Sequence, residues 1–245
     1  MVIKYMYDLT TRQIDILKNI VHEYIDSAVA VGSETLEKKY DLGVSPATIR
    51  NEMAEMIRLG YLSKPHSSAG RIPTSKAIKF YINELMKEHE MSVAEEVETK
   101  EKIWDHRARR ERFLREATHN LAAKTRSLAV TVTDDGDVFY AGYSNILEMP
   151  EFYDIDITKN LLSILDDSSY FDRIMARLEN ECAVFLEDDF EEVKMKPYGF
   201  VFSPFHTRAN HGGSIGVIGP SRMQYELVIP IVRYFGTLLG EVADW

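Results

Sequence analysis

The stretch that decides the fold is residues 43–60, GVSPATIRNEMAEMIRLG. Ser45 has a side chain that can cap a helix N-terminus, and Pro46 follows at the first helical position, where its missing N–H costs nothing. Gly60 lies where a left-handed cap ends a helix. The stretch therefore predicts one helix with both of its ends specified.

The predicted helix has two chemically different faces. Its apolar residues fall within about 100° of one another and indicate a buried stripe; they are Ile49, Met53, Met56 and Ile57. The opposite side is small and polar, and it carries Ala47, Thr48, Asn51, Glu55 and Arg58, with Arg50 on the flank. Such a first turn suits a helix that enters the DNA major groove by its N-terminus. Taken alone, the segment is equally typical of an ordinary amphipathic surface helix.

Two further helices precede this one. Thr10 and Gln13 have the spacing of a capping box, and Leu9 with Ile14 has that of a hydrophobic staple. Apolar residues then recur at helical period to Ala28. Ser33 is predicted to cap a short second helix, and a glycine turn joins it to the helix of residues 43–60. This order predicts a helix-turn-helix.

A small hairpin is predicted after Gly60. Residues 61–65 and 71–74 favour extended backbone because a proline ends or interrupts each, and residues 66–70 form the turn between them. This is the pattern of a wing with polar side chains available to phosphates, namely Lys64, His66, Ser67, Ser68 and Arg71. A hairpin that merely caps the three-helix core is compatible with the same pattern. A helix is expected over residues 75–87.

The charge is unevenly distributed. Residues 1–87 contain 12 Lys/Arg and 10 Asp/Glu, whereas the whole chain has a formal net charge of −10, so the remainder carries −12. Residues 44–80 contain six basic and two acidic side chains. A local basic patch on an acidic protein indicates a nucleic-acid contact more directly than the average charge does.

The C-terminal part of the sequence predicts a second domain. Residues 88–126 are charge-dense and predict a solvated linker or a dimerisation helix, with Arg107–Arg112 as a weaker candidate for DNA contact. From residue 128 onwards the sequence predicts a mixed sheet flanked by helices. The expected elements are a hairpin with strands 128–133 and 138–144, two helices, three strands and a terminal helix from Met223. The expected domains are residues 1–87, 88–126 and 127–245.

Other site classes are poorly supported. The glycines of residues 213–219 fit neither a dinucleotide nor a phosphate-binding loop, and no catalytic motif is recognisable. The acidic turn at residues 134–137 lacks the remaining calcium ligands, and the single cysteine, Cys182, excludes a cysteine-rich metal site. We therefore expect no enzyme, no metal and no cofactor. The lack of a long apolar run or signal peptide predicts a cytoplasmic protein without a membrane partner.

Several motifs in fixed order carry a resemblance. Residues 9–13 (LTTRQ), 43–53 (GVSPATIRNEM), 65–74 (PHSSAGRIPT), 138–147 (VFYAGYSNIL) and 213–225 (GSIGVIGPSRMQY) resemble the HrcA family, the heat-inducible transcription repressors of bacteria. The resemblance implies an α+β chain with an N-terminal winged helix-turn-helix and a GAF-like mixed α/β domain. It also implies a homodimer that binds the inverted-repeat CIRCE operator on double-stranded DNA and is controlled by the GroE chaperonin.

The DNA-binding residues follow from the motifs and the helix faces together; they are Ser45, Ala47, Thr48, Arg50, Asn51, Arg58, Lys64, His66, Ser67, Ser68 and Arg71. The chain is shorter than is usual in the family, and the missing length is expected between Ser144 and Ser214, where relatives have a dimerisation insert. The alternative function is a winged-helix regulator whose GAF-like domain senses a small metabolite.

Overall fold

The computed structural model describes residues 8–65, 70–104, 109–178, 181–189, 197–208 and 211–243. The chain divides into two compact units, residues 1–86 and 87–245. Each is described by itself.

Over residues 8–65 and 70–86, the first unit has three helices, a small hairpin and a fourth helix. The helices are α1 (Thr11–Ser27), α2 (Ser33–Lys39), α3 (Pro46–Arg58) and α4 (Ser75–Phe80), the last continued by a π-helical turn, Tyr81–Leu85. Strands β1 (Leu62–Ser63) and β2 (Ile72–Pro73) pair antiparallel between α3 and α4. The helix-turn-helix and the wing hairpin predicted from the sequence are confirmed.

The capping box of α1 is present, but the predicted cap of α2 is wrong. Thr10 accepts from the Gln13 backbone N–H, and the Gln13 side chain accepts from the Thr10 backbone N–H. Ser33 is instead the first residue of α2 and is buried, and Gly32 occupies the N-cap without a side-chain hydrogen bond. The serine therefore lies inside the helix that it was expected to cap.

The second unit is a sheet between two layers of helices. Its strands are β3 (Leu128–Thr133), β4 (Val138–Ala141), β5 (Ala183–Phe185), β6 (Tyr198–His206) and β7 (Gly212–Pro220), in the order β4-β3-β7-β6-β5. The helices are α5 (Val93–Trp104), α6 (Arg110–Thr125), α7 (Tyr143–Leu147), α8 (Ile155–Asp166), α9 (Ser168–Met175) and α10 (Tyr225–Val242). Short 3-10 turns occupy Pro150–Tyr153 and Glu187–Asp189.

Two expectations about this sheet require correction. Every pairing among its described strands is antiparallel, so the sheet is not mixed, although the domain does combine helices and strands as expected. The strand expected to reach residue 144 ends at Ala141, because Gly142 has φ +84° and turns the chain into α7. A Cβ at Gly142 would lie 2.4 Å from the Ser127 carbonyl oxygen, so only glycine fits this turn.

The glycine-rich residues 212–220 form the central strand, β7, and every residue of it is buried. A Cβ at Gly213 would lie 2.2 Å from the Val132 carbonyl oxygen, and one at Gly216 would lie 2.3 Å from that of Val201. The glycines therefore permit close strand packing, which was the expected alternative to a nucleotide loop.

Segment 88–126 belongs to the second unit and is folded as α5 and α6. The apolar stripe of α6, with Phe113, Leu114, Ala117 and Leu121 fully buried, packs onto the sheet. Thr118 on α6 and Thr131 on β3 share a buried hydrogen bond of 2.7 Å. The outer side of α5, in contrast, exposes Val93, Val97 and Trp104.

Candidate nucleic-acid interface

The first turn of α3 is built as the sequence predicts. The Thr48 backbone N–H donates to Ser45 Oγ over 3.3 Å, and Pro46 opens the helix. The Ser45 and Thr48 hydroxyl oxygens lie 3.1 Å apart and share a hydrogen bond. Ala47 and Asn51 are exposed on the same side. The helix therefore presents a short methyl, an exposed hydroxyl and a partly buried hydroxyl at its positive end, and one amide in its second turn.

The opposite side of α3 holds it in the unit. Ile49, Met53 and Met56 are at most 2% exposed, whereas Ile57 is only half-buried. Gly60 has φ +79°, and the Tyr61 and Gly60 backbone N–H groups donate to the Met56 and Ile57 carbonyl oxygens over 2.9 and 3.0 Å. This is a Schellman ending, so the predicted C-terminal cap is confirmed.

Three of the predicted DNA-binding cations line one groove. Arg50, Lys64 and Arg71 surround a cavity of about 430 Å³ between α3, β1 and the start of α2. Arg50 and Lys64 are exposed, and Arg71 is half-buried with its Nη1 donating to the Gly70 carbonyl oxygen over 3.2 Å. Glu34 is the acidic residue on the same wall. The groove thus gathers positive charge directly beside the exposed face of α3.

The base of the wing is fixed by backbone. The Val31 N–H donates to the Arg71 carbonyl oxygen and the Arg71 N–H to that of Val31, both over 2.8 Å. A Cβ at Gly70 would lie 2.5 Å from the Val31 carbonyl oxygen, so this position accepts only glycine. His66, Ser67 and Ser68, the predicted contacts at the wing tip, lie outside the described residues, as does the start of the Arg107–Arg112 run.

Arg58, a predicted DNA-binding cation, has an acidic partner on its own helix. Its Nε and Nη2 donate to Glu55 over 2.9 and 2.7 Å, a bidentate pair at i,i+3 spacing on the solvent side. The hydrogen bonds lower the pKa of the Glu55 carboxyl and raise the pKa of Arg58. Because both groups are exposed, the pair is screened and exchangeable, but Arg58 has much of its charge balanced within α3.

Sequence reasoning missed a contact between α1 and α3. Gln13 Nε2 donates to Glu52 Oε2 over 2.9 Å, and Arg12 Nη1 lies 3.3 Å from Glu52 Oε1. The capping-box spacing identified Gln13 as a local cap, but no pattern within α1 shows that its other end reaches α3. Lys76 was likewise counted in the basic patch, yet its Nζ donates to the Leu59 carbonyl oxygen and lies over the Tyr61 ring.

The second unit has a groove of a different character. A cavity of about 670 Å³ lies between α10 and β6 beside Cys182, and Ser203, His206, Arg233, Thr237 and two glutamates contribute to its wall. Burial raises the pKa of the Cys182 thiol to about 12, so the thiol is protonated at neutral pH. The other side of the sheet carries a cluster of buried hydrophobic side chains, among them Phe152, Phe171, Phe200 and Phe202.

Models of known protein families match both the N-terminal and the C-terminal part of the chain. Residues 8–87 match the model described as "Winged helix-turn-helix transcription repressor, HrcA DNA-binding", and residues 71–229 match "HrcA protein C terminal domain". The chain belongs to the HrcA family. Its first unit is therefore a winged helix-turn-helix of a transcription repressor, and the family is one of DNA-binding repressors and not of enzymes.

Curated HrcA proteins align along most of the chain. The heat-inducible transcription repressor HrcA of Halalkalibacterium halodurans is 25% identical over 326 alignment positions that cover 92% of this chain and 95% of the relative. That of Pelotomaculum thermopropionicum is 26% identical over 343 positions, covering 96% and 97%. Since this chain has 245 residues, about 100 positions of the first alignment have no counterpart in it. This HrcA chain is therefore a short form.

One curated relative is more similar over a shorter stretch. The HrcA of Clostridioides difficile is 55% identical over 84 residues, which are 34% of this chain and 25% of the relative. Among solved structures, one titled only as a hypothetical protein has a TM-score of 0.72 at 17% identity, with 95% of this chain and 96% of that chain covered. That likeness shows the fold alone. Within the described residues, no helix is long and apolar enough to span a membrane.

Proposed function

We propose that this HrcA chain is a cytoplasmic, heat-inducible repressor that binds the CIRCE inverted repeat of chaperone genes as a homodimer. The observation that carries the proposal is the exposed first turn of α3 with the groove of Arg50, Lys64 and Arg71 beside it. A helix end with small polar side chains can approach base edges, and cations beside it can contact the flanking phosphates.

The residues divide into two roles. Ala47, Thr48 and Asn51 read base edges in the major groove, and an asparagine amide matches adenine in two hydrogen bonds. Ser45 caps α3 and lies close enough to the end of the helix to donate to a phosphate. The remaining contacts are to phosphates and supply affinity without sequence information; they come from Arg50, Arg58, Lys64, His66, Ser67, Ser68 and Arg71.

Dimerisation follows from the size of the DNA contact. A single winged helix buries only about 600–1,000 Å², too little for a tight and specific site, whereas a twofold pair matches an inverted repeat. The exposed stripe of α5, Val93, Val97 and Trp104, has the spacing of a helix–helix seam. This exposed stripe supports segment 88–126 as the dimer contact. This chain has no counterpart for about 100 positions of its longer relative.

Control by the GroE chaperonin completes the proposal. The apolar residues of α10, among them Val228, Val232 and Phe235, are buried against the sheet and α6. Incompletely folded chains would expose this surface, and a chaperonin would bind it and return the repressor to its DNA-binding form. During heat shock, unfolded proteins would occupy the chaperonin and the repressor would lose activity.

A single binding experiment tests the proposal. The chain is titrated onto a CIRCE duplex and onto a scrambled duplex of equal composition, with and without purified GroE and ATP. We expect tighter binding to CIRCE, a larger active fraction with GroE, and loss of that gain when an unfolded competitor protein is added in excess. Equal affinity for the two duplexes would reject the operator, and an active fraction indifferent to GroE across the heat-shock range would reject the control mechanism.

A further inference from the structure

A polar chain of three residues connects the N-terminus of α1 to the middle of α3. The Thr10 backbone N–H donates to Gln13 Oε1 over 2.9 Å, and Gln13 Nε2 donates to Glu52 Oε2 over 2.9 Å. Both ends of one amide are therefore engaged, one by the cap of its own helix and the other by a second helix. Gln13 is 5% exposed and the Glu52 side chain 21% exposed, so water competes little for these bonds.

Glu52 has a defined position relative to the DNA-facing side of α3. It follows Asn51 directly, and at 100° per residue it lies between the buried stripe and the exposed side, on the flank opposite Arg50. The buried residues of α3 are Ile49, Met53 and Met56, all apolar, and apolar packing is not directional. The hydrogen bond from Gln13 is directional and opposes rotation of α3 about its own axis.

A small rotation would be enough to change base recognition. Side-chain atoms lie about 5–6 Å from a helix axis, so a turn of about 20° moves them by about 2 Å. A displacement of that size breaks a hydrogen bond, which weakens steeply beyond its normal length. The same bond, together with Arg12 at 3.3 Å, also holds the Glu52 carboxylate toward α1 and away from the phosphates that α3 approaches.

We propose that Gln13 is a positioning residue that fixes the rotation of α3 through Glu52 and thereby sets the sequence specificity of DNA binding. The proposal rests on the proposed DNA-binding role of α3. Gln13 itself is buried on the core side of α1, and its effect on DNA binding is carried by Glu52.

The pair allows a charge-matched test. Gln13→Glu places a second carboxylate against Glu52 and should reduce the ratio of CIRCE to scrambled-duplex affinity about tenfold, the loss of roughly one base contact. Glu52→Gln retains an amide-to-amide bond and should keep the ratio within about twofold.

The double variant Gln13→Glu/Glu52→Gln exchanges the two groups and keeps the wild-type net charge. The carboxylate introduced on α1 can accept from both the Thr10 N–H and the amide introduced on α3, so the double variant should restore the ratio. Asn19→Asp, which adds a charge to α1 away from Glu52, is the matched control and should leave the ratio unchanged.

A merely structural role would give a different result. Loss of folded protein raises both dissociation constants equally and leaves their ratio constant, so an unchanged ratio in Gln13→Glu, or no rescue in the double variant, overturns the proposal. Binding is measured at low temperature, and stoichiometric titration gives the active fraction of each variant. If Gln13→Glu folds poorly, Gln13→Met replaces it, because it removes both hydrogen bonds without adding a charge and should lower the same affinity ratio.

Asn51→Ala is measured in parallel to separate the two proposals. If neither Asn51→Ala nor Gln13→Glu changes the ratio, α3 is not the reading helix. If only Asn51→Ala changes it, the positioning role alone is wrong. If the wild type does not prefer CIRCE, the series is repeated on the duplex that the wild type selects from a random library.

Discussion

Asn51 is the residue on which base recognition depends most in the proposed interface. It is exposed on the side of α3 opposite Ile49 and Met53, and a bidentate contact between asparagine and adenine is worth about 1–3 kcal/mol of discrimination. Asn51→Ala should therefore weaken CIRCE binding about tenfold or more and leave binding to a scrambled duplex nearly unchanged. Titration of both duplexes at one salt concentration measures this, and an equal loss on both would show that Asn51 does not read bases.

The cations are distinguished by their partners. Removing one phosphate contact lowers the slope of log affinity against log salt by about 0.9. Each substitution removes one contact per protomer, so Arg50→Gln, Lys64→Gln and Arg71→Gln should each reduce the slope of the proposed homodimer by about 1.8. Arg58→Gln should reduce it less, because Glu55 already balances much of the Arg58 charge through two hydrogen bonds. Binding to the scrambled duplex over a series of salt concentrations measures the slopes. Unchanged slopes in the first three variants would place the DNA contact on another surface.

At the scale of elements, two substitutions at the N-cap of α3 should have separate effects on protein stability and on DNA affinity. Ser45→Ala removes the bond from the Thr48 N–H and should destabilise the protein by about 1 kcal/mol. Ser45→Asp caps equally well, so it should keep the stability, but its charge should repel phosphate and weaken DNA binding. Thermal unfolding and DNA titration of both variants test this. If Ser45→Asp binds DNA like the wild type, the start of α3 does not approach phosphate.

A second element-scale prediction concerns α10. Arg233 binds Glu88 in a bidentate pair over 2.8 and 3.0 Å, and this hydrogen bonding lowers the pKa of the Glu88 carboxyl below its usual 4.5. A carboxyl whose pKa is lower in the folded state stabilises the protein above its unfolded-state pKa, and the contribution is lost as the pH falls through the folded-state value. Between about pH 6 and about pH 3.5 the urea midpoint should thus fall less in Glu88→Gln than in the wild type. An identical decline would show that the pair contributes nothing.

Elements were predictable from the sequence where the signal is local. The cap of α3, its glycine ending and the α1 capping box follow from residue types at fixed spacing, and all three are present. The antiparallel order of the sheet, the early end of β4 at Gly142 and the position of Ser33 inside α2 depend on long-range packing. The Arg50–Lys64–Arg71 groove and the Gln13–Glu52 bond join residues far apart in the chain, which no periodicity within one helix can show.

At the scale of the whole molecule, the proposed homodimer can be tested by changing the distance between the two half-sites in the DNA. Two winged helices that are fixed to one twofold frame must meet half-sites on the same side of the duplex, separated by whole turns of about 10–10.5 base pairs. Inserting about five base pairs between the CIRCE half-sites rotates one of them by half a turn and should cost most of the affinity, whereas inserting about ten should restore a large part of it. Val97→Asp on the exposed side of α5 should abolish this spacing dependence together with the dimer, as measured by sedimentation. Equal binding to all three spacings by the unaltered chain would mean that its DNA-binding units act independently, and a dimer that survives Val97→Asp would place the contact away from α5.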